Sequence, residues 1–358
     1  MAKFEYPELL NEMLASKFIN VQKHPQYPLW LYNYSKRVQH RELWNEATCA
    51  CRGMIMDAEQ NIISRPFKKF FNYWEIDLAE IPDEPFAVTD KVDGSLGISY
   101  YYKGVWQIAT RGSFAGKHAT KANQILHQKY SASVKQMRPE LTYLFEIIYP
   151  ENRIIVDYGE REELILLAVI DTETGAELVD YEDIGFPLLK TFDNINSFAD
   201  VLKLREQGAE NAEGFVLRFA SGYRLKVKFE EYMRLHSIML GLTETKVWQY
   251  LSKGNDTGKL FDIATEEQRH WLNTAIEKIR NNYTALYQEV TDEFNDLLKN
   301  FPSFKNLESL DKKLAAEQIT GRKNETFLFN LLNDKPIEKM IWQYVKPDEN
   351  ASWFAGRG

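Results

Sequence analysis

Cysteine is nearly absent: two occur in 358 residues, Cys49 and Cys51, with Ala50 between them. Two thiols cannot complete a four-ligand zinc site, and neighbours this close on one strand rarely form a disulfide. The expectation is a pair of buried, reduced thiols in a cytoplasmic protein. Long apolar runs are missing too. The longest clear one, Leu164 to Ile170, is far too short to span a membrane. The start, Met1-Ala2-Lys3-Phe4-Glu5, has no signal-peptide core. Positive charge is not in excess. Lys and Arg number 44 against 52 Asp and Glu, and the net charge of −8 argues against holding a polyanion by bulk electrostatics. A nucleic-acid partner would need local basic clusters. The six histidines, His24, His40, His118, His127, His236 and His270, show no metal-ligand spacing. Repeats and low-complexity segments are also absent, which removes repeat-scaffold architectures.

What is present is ordinary for a folded protein. The chain is longer than one core usually fills, so two domains are expected. Strand patterns cover Ala50 to Met56 and Asn61 to Arg65, joined by a turn at Asp57-Ala58-Glu59-Gln60. Further strands are expected over Leu96 to Tyr102, Val105 to Thr110, Thr142 to Ile148, Leu164 to Ile170, Phe215 to Phe219 and Tyr223 to Phe229, with a helix over Lys117 to Tyr130. From about Glu230 the strand signals fade. Helical spacing takes over in Thr265 to Val290, Thr291 to Lys299, Leu307 to Glu317 and Asn324 to Leu332. The expected fold is α+β: an antiparallel-sheet domain over 1–236, an all-helical domain over 237–346, and a loose tail over 347–358.

Four signals recur in a fixed order. They are Lys91-Val92-Asp93-Gly94-Ser95, Glu146 within Leu144-Phe145-Glu146-Ile147, Glu213-Gly214, and the pair Lys226 and Lys228. A free lysine has a pKa near 10.4, so only about one in a few thousand is neutral and nucleophilic at pH 7. An attacking Lys91 therefore needs burial or nearby cations, and Lys226 and Lys228 are the candidates. Two residues apart on a strand, they share a face, while Leu225, Val227 and Phe229 pack behind. Two cations aimed one way suit a polyphosphate. Gly94 permits a tight turn and Ser95 offers a hydroxyl. Lys-x-Asp-Gly alone is a weak signal, expected by chance in about one chain in ten of this length; the ordered set describes a site that attaches a nucleotide covalently to a lysine.

With these motifs the chain resembles the covalent nucleotidyltransferase superfamily of polynucleotide ligases and mRNA capping enzymes, and more closely the phage-type RNA ligase 1 family. Tyr32-Asn33-Tyr34, Cys51-Arg52-Gly53-Met54-Ile55, Ser64 to Asn72 and Lys228…Tyr232…His236 match that family's blocks in order. The resemblance implies an ATP-dependent RNA ligase with Lys91 as the nucleophile that becomes lysyl-AMP. It implies nucleotide contacts from Tyr32, Arg52 and Lys69, and phosphate contacts from Lys226 and Lys228. Glu146 and Glu213 would serve the ribose or the waters of a Mg2+ or Mn2+ ion, and Tyr232 would support ligation. Arg111-Gly112-Ser113 stands where the family usually has lysine, replacing a point charge by a fork. Asp256 is a loose counterpart of a further metal-binding acid in the helical region. The implied partner is RNA with 5′-phosphate and 3′-hydroxyl ends, such as a nicked tRNA, met by a monomer of phage or bacterial origin.

Each signal also has a plainer explanation. Glu146 fits an outward residue of an apolar strand, and Arg52 a structural ion pair. The run Phe70, Phe71, Tyr73 and Trp74 reads mostly as core, with one ring available to stack on adenine. Lys117, Lys121 and Lys129 with Arg111 form a basic strip that suits RNA phosphates or a solvated helix face. Trp248, Trp271 and Trp342 are expected in a helical core. A DNA ligase or capping enzyme shares the chemistry, but such relatives usually follow the last lysine motif with a small β-barrel, whereas here helices follow. A non-catalytic RNA-binding protein on a ligase fold has no physical need for the retained set of lysines and glutamates.

Overall fold

The computed structural model describes residues 2–195, 197–240, 242–264, 266–300 and 309–347. It separates into two compact units, Met1–Arg234 and Leu235–Gly358. Beyond Pro347 the expected tail lies outside the described residues, as do Thr265 and the first two residues of the helix expected from Leu307.

The first unit is α+β and holds three sheets. One orders β1 (Ile19–Lys23), β2 (Leu29–Tyr34), β3 (Arg52–Asp57) and β4 (Ile62–Ser64), all antiparallel. A second orders β5 (Phe71–Asn72), β13 (Arg224–Lys228), β12 (Gly214–Phe219) and β6 (Phe86–Asp90), with β5 parallel to β13. The third orders β11 (Glu177–Leu178), β10 (Glu163–Asp171), β9 (Leu141–Ile148), β7 (Ser95–Tyr102) and β8 (Val105–Thr110). Helices α1 (Pro7–Ala15), α2 (Lys36–Arg41) and α3 (Glu46–Ala50) flank the first sheet's strands in sequence, and α6 (Phe198–Gln207) precedes β12.

Alternation along β9 decides where Glu146 goes. Tyr143, Phe145 and Ile147 join the core that also holds Ala122, Ile125 and Leu126 of α4 (Lys117–Lys129), just before α5 (Ser131–Val134). Leu144 packs on the other face with Phe67, Ile98 and Ala168, and Glu146 shares its parity. Both faces are covered, so Glu146 is an inward carboxylate, not the solvent-facing residue of the plainer explanation.

One expectation fails at an element end. Cys49 lies in α3 and Cys51 caps that helix, so they do not share a strand; Asn45 starts α3 early by accepting from Thr48 N–H at 2.9 Å. Both thiols are free, and burial pushes Cys51 well above the usual thiol range.

Helix α7 (Glu230–Leu240) spans the division between the units. The second unit is helical among its described residues: α8 (Glu244–Ser252), α9 (Gly258–Ile263), α10 (Glu266–Asn300), α11 (Ser309–Ile319), α12 (Glu325–Leu332) and α13 (Glu338–Tyr344). The break expected at Val290–Thr291 does not occur. Val290 is fully buried with Phe327 and Ile341, and the Thr291 hydroxyl donates back to Tyr287 O at 2.8 Å within α10. Trp248 and Trp342 are half-buried rather than core, joined by a 2.7 Å bond from Trp248 Nε1 to Trp342 O. Among the described residues no helix is long and apolar enough to cross a membrane.

Candidate active site

Strand register builds one wall of the site. Lys91 follows the last residue of β6 and its N–H donates to Gly214 O at 2.8 Å. Gly214 pairs with Lys228; Val216 pairs with Thr89 and Lys226; Arg218 pairs with Ala87 and Arg224. These residues share parity and form three rows across one sheet face, successive rows about 7 Å apart. The buried partners Leu225 and Val227 are fully covered, as the sequence alternation requires.

The opposite wall carries Glu146, Ser95, Leu96, Leu167 and Glu177. Between the walls lies a cavity of about 480 Å³, within the usual range for a small-molecule site. It brings together Lys91, Gly94, Arg52, Arg111, Glu146 and Lys226. Gly94 must lack a side chain, because a Cβ there would lie 2.7 Å from Ile147 O and 3.1 Å from Glu146 Cγ. Its N–H donates to Glu146 Oε1 at 3.1 Å. Ser95 Oγ is engaged with Asn152 Oδ1 at 3.0 Å.

Lys91 is held differently from the sequence expectation. Its Nζ sits 2.7 Å from Glu213 Oε2, and Lys228 Nζ sits 2.7 Å from the other oxygen. Burial disfavours the Lys91 charge, but Glu213, then Glu146 and Asp93, outweigh it and raise its pKa. Expected neighbours were cations; the nearest partner is an acid. Burial likewise opposes the Glu213 charge, yet Lys91 and Lys228 hold its carboxyl below the ordinary range. Glu213 thus bridges two lysines instead of standing free.

Three other charged residues of the site, Lys226, Arg52 and Glu146, form no salt bridge among the described residues. Burial, reinforced by Arg52, Lys91, Lys69 and Lys228, drives the Lys226 pKa well below its ordinary value, and Lys226 Nζ rests 4.5 Å from the centre of the Phe70 ring. Arg52 Nη1 is buried with no hydrogen-bond partner. The Glu146 carboxyl is pushed up to about 7, first by burial and only partly offset by Lys91.

Several expected site residues sit elsewhere. Tyr32 packs in the core beside Met54 and Ile62 and does not line the cavity. A bulge between Tyr32 and Asn33, opposite Gly53 with φ +100°, shifts the register, and Tyr34 instead accepts from Arg111 Nη1 at 2.8 Å. Lys69 also lies off the cavity lining. Its Nζ rests 3.8 Å from the Phe71 ring centre and donates to Phe70 O. Of the aromatic run only Phe70 lines the cavity, where it faces two cations. Asp256 belongs to the second unit, and its Oδ1 accepts from Gly258 N–H at 2.9 Å. In the basic strip, Lys121 pairs with Glu162 Oε1 and Lys129 Nζ donates to Glu162 O.

Tyr232 does not reach the cavity; its hydroxyl donates to Asp93 Oδ1 at 2.7 Å. Asp93 Oδ2 accepts from Ile155 and Val156 N–H, and Asp93 N–H donates to the Tyr158 hydroxyl. These contacts fix the turn that follows Lys91. Asp93 was visible inside Lys91-Val92-Asp93-Gly94; nothing local marked Tyr158. Arg224 and Arg218 continue the alternation of Lys226 and Val216, and that spacing is visible in the sequence.

Among the described residues no group of three His, Cys, Asp or Glu side chains forms a metal cage. Three acids line the cavity: Asp90, whose Oδ1 accepts from Lys190 N–H, Glu177, which pairs with Arg218 and Arg224, and Glu146, which has no ion pair among the described residues. So sparse a donor set fits a water-rich Mg2+ shell shared with phosphates rather than an all-protein site.

A family model described as RNA ligase matches residues 50–233, which carries every motif of the cavity. A protein of Thermovibrio ammonificans provisionally named RNA ligase is 30% identical over 179 residues, covering 47% of this chain and 46% of that protein. One from Autographa californica nuclear polyhedrosis virus, provisionally named bifunctional polynucleotide kinase/RNA ligase, is 28% identical over 255 residues, covering 62% of this chain and 36% of its own. The RNA ligase of Rhodothermus phage RM378 is 22% identical over 407 residues, covering 92% and 87%. The matches thus span less than half the length of the first two relatives. The matched span, more than half of the sequence, decides the family: the chain belongs to the phage-type RNA ligase 1 family.

Proposed function

We propose that the chain is an ATP-dependent RNA ligase that joins 5′-phosphate and 3′-hydroxyl ends, with Lys91 as its nucleophile. The observation that carries this reading is the convergence, in one nucleotide-sized cavity, of Lys91 with Lys226 and with Arg52, whose buried Nη1 has no hydrogen-bond partner. Buried cations without acids are costly unless an anion arrives. A triphosphate is such an anion.

The resting Lys91 is a locked ammonium. Its release requires parting from Glu213, and Lys228 remains on the second carboxylate oxygen to hold Glu213 afterwards. Parted from Glu213, Lys91 Nζ gives one proton to solvent and, now neutral, attacks the α-phosphorus of ATP. An N–P bond forms, the bond to pyrophosphate breaks, and a second Nζ proton goes to solvent. Arg52 and Lys226 take up charge on the phosphates, where positioning and neutralisation supply most of the rate. AMP then passes to an RNA 5′-phosphate, and the 3′-hydroxyl of the second end attacks that phosphate and expels AMP. Glu146, with Glu213 once freed, would hold Mg2+ through water, and the ion supplies further neutralisation of phosphate charge. Asp93, Tyr158 and Tyr232 act through the turn that carries Lys91 and are positioning residues. The helical unit would select the RNA, with a broken stem-loop such as a nicked tRNA as the candidate substrate.

The test uses single-stranded RNA bearing a 5′-phosphate and a 3′-hydroxyl, with ATP and Mg2+. The wild-type protein joins the ends. Folded Lys91→Ala joins none with ATP but still joins RNA supplied with a preformed 5′-adenylyl group. Joining with ATP by that variant would contradict the role of Lys91. A wild type that joins DNA ends alone would replace RNA by DNA as the substrate.

A further inference from the structure

The third row of the cavity wall holds charges that phosphate chemistry does not need. Arg218 Nε donates to Glu177 Oε2 at 2.9 Å, and Arg224 Nη2 donates to the same oxygen. Arg218 and Arg224 come from β12 and β13, while Glu177 comes from β11 of the other sheet. All three line the cavity. They stand two rows, about 14 Å, beyond the row of Lys91 and Lys228. That span is comparable with the length of an extended nucleotide.

Between the ends the lining changes character. Val216, Leu167, Leu96, Phe67 and Leu189 present apolar surface of the kind a flat base fills. A nucleotide whose α-phosphate lies at Lys91 therefore places its base over these side chains and the edge of that base at Glu177. Both arginines fasten the carboxylate through Oε2. Oε1 has no hydrogen-bond partner among the described residues.

We propose that Glu177, held by Arg218 and Arg224, reads the base edge of the nucleotide and selects adenine. Adenine presents an exocyclic N6–H2 donor on this edge beside a ring acceptor, whereas guanine presents an O6 acceptor there. Glu177 Oε1 accepts from N6–H2, and an arginine donates to the ring nitrogen. A 6-oxo purine sets an acceptor against the carboxylate and leaves it unpaired. Loss of such a pair in a partly dry site discriminates more strongly than any fit to shape. If the cluster were only a tie between two sheets, its removal would weaken all nucleotides alike.

The assignment rests on nucleotide binding by the cavity, so the test separates the two. Full-length Lys91→Ala, which cannot form the covalent bond, is titrated calorimetrically in Mg2+ with ATP, ITP and purine riboside triphosphate. ATP is expected to bind about tenfold or more tighter than either analogue, each of which lacks the 6-amino donor. Adding Glu177→Gln should weaken ATP by about tenfold while changing ITP by less than about threefold, so that the preference collapses. Arg218→Met is a second variant with the same expected loss of preference. Equal binding of ATP and ITP by the Glu177 protein overturns the proposal, with no variant needed. Equal weakening of both by Glu177→Gln also overturns it. Absence of binding by every triphosphate would instead remove the ligase reading along with it.

Discussion

Glu146→Gln is expected to stabilise the protein in alkali while abolishing its chemistry. Glu146 is buried and its carboxyl is pushed from an ordinary 4.5 up to about 7. For a raised acid, the folded state binds the proton more tightly than the unfolded state, so stability is lost as pH rises from 4.5 to about 7 and is flat above. At 1.36 kcal/mol per unit, ionising Glu146 costs about 3 kcal/mol by pH 8.5 and only about 1 kcal/mol at pH 5. Glutamine keeps the Oε1 that accepts from Gly94 N–H but never ionises. The variant should therefore gain about 2 kcal/mol relative to wild type between these two conditions, or about 4–8 °C in the melting temperature of a domain this size. Scanning calorimetry of both proteins, with chelator present, reads the shift. A variant destabilised equally at both pH values would refute the reasoning, because Glu146 would then be a satisfied carboxylate.

Other perturbations have equally definite outcomes. Glu213→Ala leaves Lys91 and Lys228 buried without their acid and should cost about 3–5 kcal/mol in chemical denaturation near neutrality. The Glu213 contribution is present above the ordinary carboxylate pKa and is lost as acid brings pH down through its depressed folded value, so the variant should converge on wild type in acid. Gly94→Ala places a methyl 2.7 Å from Ile147 O and should destabilise by about 1–3 kcal/mol; an unchanged melting temperature would contradict the close packing of that turn. Tyr158→Phe removes the acceptor for Asp93 N–H and should lower the rate of lysine adenylylation while leaving the nucleotide Kd unchanged, since Tyr158 lies outside the cavity lining. A weakened Kd with an unchanged rate would speak against a positioning role.

Much of the first unit is legible because its strands are half or wholly buried. β9 and β13 announce themselves by alternation, and the lysines of β13 share a face because Leu225 and Val227 are fully covered on the other. β1 carries no such signal: only Ile19 is buried, and the rest of the strand is exposed. Tyr32 and Tyr34 look equivalent in sequence, and a one-residue bulge at Gly53 decides which of them meets Arg111. The partner of Lys91 was hidden for another reason. Glu213 lies 122 residues away, and only the β12–β6 pairing delivers it to the lysine. Residue types thus fixed the chemistry, while the resting charge state of Lys91 depends on long-range pairing that no local pattern encodes.

The most direct measurement is transfer of label from α-phosphate-labelled ATP to the protein in Mg2+, without nucleic acid, read on a denaturing gel. Intact mass before and after pyrophosphate controls for protein already adenylylated. A lysine nucleophile predicts retained label on wild type, none on folded Lys91→Ala, and release by pyrophosphate. Label that persists on Lys91→Ala, or its absence from wild type that was never adenylylated, would contradict it.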